Sequence, residues 1–227
     1  RYVRLHVSAA TGNYGSGVQI YVFRQPNTPW YIPGDINQDG KIDENDLTSY
    51  MNYTGLRQGD GDFAGYISKG DLNSNGLIDA YDISAVATEL EGGIWGEQKG
   101  ELKGSVTVEA DKKQYAAGET VTLTVKGKGL QNVNALSMCL PYDATEMEYQ
   151  GVEALAVKEM YNMTYDRLHT NGQKALYPTF VNLGMQNLVE GDVELMHITF
   201  KARRSMKWSG QITDGMLVSR YNKALTF

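Results

Sequence analysis

The chain has 227 residues, 41% of them hydrophobic, and a net charge of −6. It holds no apolar run near the about 18 residues a membrane helix needs, and its acidic balance argues against nucleic acid, whose binders carry basic stripes. Twenty-five glycines and fifteen tyrosines, with many short alternating segments, favour β structure over helical bundles, and the single cysteine, Cys139, cannot form an internal disulfide.

Residues 1–28 contain three arginines and no acid. Val3, Leu5 and Val7 alternate with Tyr2, Arg4 and His6, the chain turns between Gly12 and Gly17, and Val18, Ile20 and Val22 alternate again. That pattern predicts a β-hairpin, which is marginal alone and must lean on something else. It is similar to the C-terminal end of a discoidin-like domain of the coagulation-factor type C fold, a sugar-binding accessory module of many carbohydrate-active enzymes. The ligand loops of such a module would lie upstream, so no sugar-binding residue is carried over. The resemblance implies a longer, exported, glycan-degrading parent, a glycoside hydrolase. A start at Arg1 with neither methionine nor signal segment reads as processing or excision from something longer. Gln25 to Pro33, with three prolines, reads as a stiff linker.

Residues 35–90 hold eleven Asp and Glu against Lys41, Arg57 and Lys69, a net −8. The acidity belongs to a repeat: "GDINQDGKIDENDL" from Gly34 returns as "GDLNSNGLIDAYDI" from Gly70. Counted from its first Asp, each segment fits the twelve-residue calcium-loop template. Ca²⁺ takes six to eight hard oxygens, supplied by side chains at the first, third and fifth places, a backbone carbonyl at the seventh, often a water held by the ninth, and a carboxylate at the twelfth. Those places are Asp35, Asn37, Asp39, Lys41, Asp43 and Asp46 in the first loop, and Asp71, Asn73, Asn75, Leu77, Asp79 and Asp82 in the second. Asx-rich turns need no metal, but the same residues at the same places twice favour two calcium ions, whose charge turns repulsion into ligation. The eighth residue, Ile42 and then Ile78, suits two loops pairing back to back. Leu47, Tyr50, Met51 and Thr54 after the first loop, and Ile83, Val86, Ala87 and Leu90 after the second, have helical spacing.

Loop, helix, spacer, loop, helix, with Asp in the twelfth place, closely resembles the type I dockerin family over residues 34 to 91. The resemblance implies two calcium ions, folding that depends on them, and docking by a helix face onto a cohesin partner. The partner-reading pair that is typically Ser-Thr in that family is here Glu44-Asn45 and Ala80-Tyr81, so the two halves are not interchangeable.

From Val106 on, the chain alternates in short runs: Val106, Val108, Ala110; Val121, Leu123, Val125; Leu136, Met138, Leu140, Tyr142; Met196, Ile198, Phe200, Ala202. Each run turns one face inward, enough for a two-sheet sandwich or jelly roll. "YAAGETVTLTV", then a strand ending in Tyr142-Asp143, then "GDVELMHITFKAR" look like the cohesin domain over residues 104 to 227. Tyr161, Tyr165, Tyr177 and Phe180 are either a sugar-stacking platform or caps on the sandwich core.

His6, His169 and His197 fall in separate regions and read as surface residues, and Cys139 reads as a small strand residue. No phosphate loop or zinc spacing occurs, and Asp143, Glu146, Glu148 and Asp214 sit in turns or at strand edges, so no catalytic constellation is expected. The expected fold is mostly β with a small α module: a hairpin remnant over 1–28, a dockerin-like calcium-binding domain over 29–92, a linker over 93–103 and a cohesin-like β-sandwich over 104–227. The expected function is calcium-dependent docking or scaffolding outside the cytoplasm, whether secreted, periplasmic or at the cell surface. The alternative is a carbohydrate-binding accessory module with a glycan partner. A self-complementary pair joined by about fifteen residues would meet at millimolar effective concentration, so the two modules are candidates to dock on each other, with Trp95 at the junction.

Overall fold

The computed structural model describes residues 31–92, 100–183 and 188–227. The chain divides into two compact units, Arg1–Trp30 and Tyr31–Phe227. The first, with its expected hairpin, lies outside the described residues, as does Trp95.

Two helices form where the spacing predicts them, α1 (Glu44–Tyr53) and α2 (Ala80–Leu90). Asp43 and Asp79 start them: each side chain accepts a backbone N–H of the first turn, while Asp46 and Asp82 reach back to the cap's own N–H. This reciprocal pairing satisfies donors that a helix start otherwise leaves open. Leu47 and Tyr50 of α1 and Ile83, Val86 and Ala87 of α2 are buried in one cluster, whereas Met51 lies on the flank of α1 and is exposed. Ile78 exchanges both backbone hydrogen bonds with Gly55 and Leu56, so the second loop pairs with the segment after α1 and not with Ile42 of the first. The Tyr50 hydroxyl donates to the Gly70 carbonyl at 2.9 Å. Tyr50→Phe therefore forfeits one buried hydrogen bond, about 1 kcal/mol. Thermal melting should read this as a fall of roughly 2–4 °C; an unchanged melting temperature would show that the bond contributes nothing net.

The remaining strands are β1 (Lys103–Ala110), β2 (Gln114–Tyr115), β3 (Thr120–Val133), β4 (Ala135–Pro141), β5 (Met147–Ala154), β6 (Tyr161–Asn162), β7 (Tyr165–Leu168), β8 (Lys174–Tyr177), β9 (Thr179–Val181), β10 (Val189–Ala202), β11 (Met206–Lys207), β12 (Thr213–Val218) and β13 (Ala224–Thr226). One sheet runs β1-β3-β10-β5 and the other β13-β12-β4-β8-β7, with β9 and β6 extending the second along β4, while β2 pairs with β11. All these pairings are antiparallel. β8 and β9 follow the same edge of β4 on either side of Pro178, because proline has no N–H to give to a ladder. The two sheets close on Val121, Leu123 and Val125 of β3, Met196, Ile198 and Phe200 of β10, and Leu136, Met138 and Leu140 of β4. These are the inward sets that alternation predicts.

A third layer completes the second unit. The helical module lies on the outer face of the second sheet, and Ala135, Val181, Met216 and Val218 belong to the same buried cluster as Leu47, Tyr50, Ile83 and Val86. β4 is consequently buried on both faces. Its large residues Leu136, Met138 and Leu140 point into the sandwich, and its small residues Ala135, Ser137 and Cys139 lie under the module. Small side chains there let a helix start approach the strand closely.

Candidate functional site

Both acidic loops fold into the same hydrogen-bond cage. Asp35 accepts the N–H of Asp39 on one oxygen and of Gly40 on the other, each at 3.0 Å; Asp71 does the same for Asn75 at 3.0 Å and Gly76 at 2.8 Å. The carboxylate in the twelfth place closes each loop: Asp46 accepts from Asn37 and Asp43, and Asp82 from Leu72 and Asp79. Gly40 and Gly76 take left-handed φ of +87° and +84°, the conformation the sharp turn requires.

Burying these carboxylates together perturbs them. Burial pushes Asp79 up to about 6 against the opposing hydrogen bond from the Asn75 amide. Asp82 is held well above the usual carboxylate range by burial and then by the Asp79 charge. Asp46 is raised by burial. Among the described residues no Lys, Arg or His forms an ion pair with any of these loop acids. Among the described residues, three His, Cys, Asp or Glu side chains do not stand gathered as a metal cluster; carboxamides stand beside the acids in each loop, the Asn37 and Asn75 amides bonding Asp39 and Asp79. Buried acids lacking a protein cation, with carboxamides beside them, fit a hard divalent cation such as calcium.

The second half of the site is the seam between module and sheet. The Ala80 N–H, at the start of α2, donates to the Ser137 hydroxyl at 3.2 Å, and Leu77 packs on Cys139, Ala175 and Tyr177. The Gly55 φ is +77°, and a Cβ there would meet the Tyr177 ring at 2.2 Å. Arg167 on β7 donates to the carbonyls of Thr54 and Asn52 at 2.9 and 2.8 Å, at the end of α1 where carbonyls lack helical partners. Arg57 donates to the Gln173 side chain at 2.7 Å.

At the seam's edge His169 departs from the surface position expected of it: its side chain is fully buried. Nδ1 lies 2.7 Å from Asp60 Oδ2 and Nε2 2.8 Å from the Tyr177 hydroxyl. An Nδ1–H donating to Asp60, with the tyrosine hydroxyl donating to Nε2, satisfies both ring nitrogens. Burial alone would raise the Asp60 carboxyl, but donors from His169 and from the Thr170 and Arg57 N–H groups hold it below its ordinary range. Asp60 and His169 are 109 residues apart, which is why no local spacing announced them. The hint was two acids in the spacer, Asp60 and Asp62, that neither loop uses.

The proposed aromatic platform separates. Phe180 is wholly buried and Tyr177 nearly so, Tyr161 is exposed, and the Arg167 guanidinium covers the Tyr165 ring at 4.3 Å. Cys139 is a strand residue, as its alternation indicated, and it is buried. No helix among the described residues is long and apolar enough to cross a membrane.

Comparison with family models matches the type I dockerin domain over residues 33–91 and the cohesin domain over residues 106–223. Solved structures similar to the chain include a type II cohesin domain from the cellulosome of Acetivibrio cellulolyticus, 12% identical, covering 54% of this chain and 87% of that one with a TM-score of 0.44. A cohesin module of a family 33 glycoside hydrolase from Clostridium perfringens is 12% identical over 56% and 90% of the two chains, TM-score 0.43. A non-cellulosomal cohesin from Archaeoglobus fulgidus is 14% identical over 53% and 82%, TM-score 0.39. No curated protein matches. Type I dockerins are calcium-binding modules, and dockerins and cohesins alike are non-catalytic and act through protein–protein contact. With most of its sandwich inside the matched span and a pair of loop–helix segments ahead of it, the chain belongs to the cohesin family and carries a type I dockerin before its cohesin domain.

Proposed function

We propose that this dockerin docks on the cohesin of its own chain, so that the two modules form one calcium-stiffened unit. The observation that carries this reading is the doubly buried β4, whose outer face of Ala135, Ser137 and Cys139 is covered by α2 and Leu77. The first ion would be held by Asp35, Asn37, Asp39, the Lys41 carbonyl, Asp43 and Asp46. The second would be held by Asp71, Asn73, Asn75, the Leu77 carbonyl, Asp79 and Asp82. Calcium supplies the positive charge that the buried carboxylates lack; the chain's own residues fix the turns and start the helices that meet the sheet. The domains in this reading are 29–92 and 104–227, joined by 93–103 and preceded by the discoidin-like remnant 1–28. The unit would serve an exported glycan-degrading enzyme as a non-catalytic accessory part.

Cys139 gives the test, since it is the chain's single cysteine and lies beneath the seam. In calcium, a thiol reagent should modify it on the order of a hundredfold more slowly than in the urea-unfolded chain, because only opening exposes it. Modification as fast as in urea would overturn intrachain docking.

A further inference from the structure

The helix start and Leu77 bring apolar and backbone groups to the sheet, which any similar module could offer. One contact is different. The Asp60 carboxylate, in the spacer between the two loops, is held at both oxygens by the β7–β8 hairpin and its own turn. Oδ2 meets His169 Nδ1 at 2.7 Å and the Arg57 N–H at 3.1 Å, while Oδ1 accepts the Thr170 N–H at 3.0 Å. Its side chain is 7% exposed and that of His169 is 0%. The next turn of the spacer adds a bond back, from the Gly61 N–H to the Thr170 hydroxyl at 2.8 Å. Behind the imidazole, the Tyr177 hydroxyl fixes Nε2 at 2.8 Å, and the tyrosine packs in one cluster with Cys139. The ring is thus oriented from the sheet side before any carboxylate arrives. Arg57 and Arg167 are spent on Gln173 and on the α1 carbonyls, which leaves His169 and the Thr170 N–H as the sheet's groups for this acid.

We infer that the β7–β8 hairpin is a carboxylate-reading surface that sets which module the cohesin sheet accepts: one carrying an acid in the spacer between its loops, which Asp60 provides. This deepens the proposed intrachain docking and rests on it. A partner lacking that acid would bury His169 Nδ1 without a mate, and a sheet lacking the histidine would leave the buried carboxylate only the Arg57 and Thr170 N–H groups. Either mismatch is strongly unfavourable, because removing one member of a buried pair strands the other.

The experiment is a double-mutant cycle on the whole chain in saturating calcium, read by the rate of Cys139 modification, with far-UV circular dichroism confirming the fold. Asp60→Ala and His169→Ala should each accelerate modification by roughly a hundredfold. The double variant should be no faster than either single one, since the stranded partner is gone. Should an alanine variant lose its fold, Asp60→Asn and His169→Gln take its place, with the same non-additivity and about tenfold single effects. Single variants within about threefold of the parent, or single effects that multiply in the double variant, overturn the inference. Failure of docking itself is distinguishable, because the unaltered chain would then show no Cys139 protection at all.

Discussion

Stripping calcium from the chain should lower its melting temperature by on the order of 10 °C, and by more at about pH 8 than at about pH 5. The magnitude follows from mass action: each site held near a hundredfold above its dissociation constant stabilises the fold by about 2.7 kcal/mol. The pH dependence follows from the buried acids. In the metal-free fold Asp79 sits at about 6 and Asp82 is raised well above the usual range, against about 3.9 for an unfolded Asp. A carboxyl whose folded value is raised contributes stability that is fully present below the unfolded value and lost as pH rises through the folded one. The metal-free chain should thus weaken between about pH 4 and pH 7. With the ion bound the sign reverses, because ligating carboxylates must be ionised and acid competes with the metal. The gap between loaded and stripped protein should therefore widen with pH. Asp71→Ala, which spares both helix caps, should remove about half of the calcium-dependent gain if the two sites contribute equally. Melting curves recorded on decalcified protein with and without added calcium decide it. Coincident curves, or a gap that narrows as pH rises, would remove the calcium cages from the account.

Gly55→Ala should loosen the seam by roughly 2–5 kcal/mol, with two causes adding. The backbone at Gly55 is left-handed, at φ +77°, which an L side chain adopts at a cost of about 1–2 kcal/mol. The added methyl would also fall 2.2 to 2.7 Å from three carbons of the Tyr177 ring. That ring cannot swing aside easily, since its hydroxyl is bonded to His169 and the residue is buried between Cys139 and Ala175; overpacking of this kind costs about 1–3 kcal/mol. Gly118→Ala is the control, with the similar φ of +86° and nothing within 4 Å of the new methyl. It should show the backbone part alone. Urea unfolding measures both losses, and Cys139 modification should accelerate only for Gly55→Ala. Equal losses for the two variants, with Cys139 still protected, would mean that Tyr177 yields and the close approach is unimportant.

The same contrast between local and distant causes runs through the molecule. The two acidic loops and their helices were legible because their determinants lie within twelve consecutive residues: carboxylates and carboxamides at fixed places, a glycine at the turn, an apolar stripe directly after. The helix caps Asp43 and Asp79 also have a local signature, the acid three residues further on. Alternation identified the inward residues of β3, β4 and β10 because side chains on a strand change face at every step. Alternation is silent, however, on what lies beyond the outward face. Ala135, Ser137 and Cys139 could as well have met water, and Tyr177 and Phe180 could as well have met a sugar.

By itself, then, the sequence determined the parts: a pair of hard-oxygen loops with their helices, and a sandwich of short antiparallel strands. Each is written in patterns short enough for neighbouring residues to enforce. Only the tertiary structure decided that the helical part covers the sandwich's second sheet, that His169 leaves the surface for a buried bond to Asp60, and that Gly55 lies against Tyr177. Those contacts join residues far apart in the chain, 57 positions for Ala80 and Ser137 and 109 for Asp60 and His169, and their energy arises from exclusion of water and close fit between surfaces. No local pattern records either until the chain has folded.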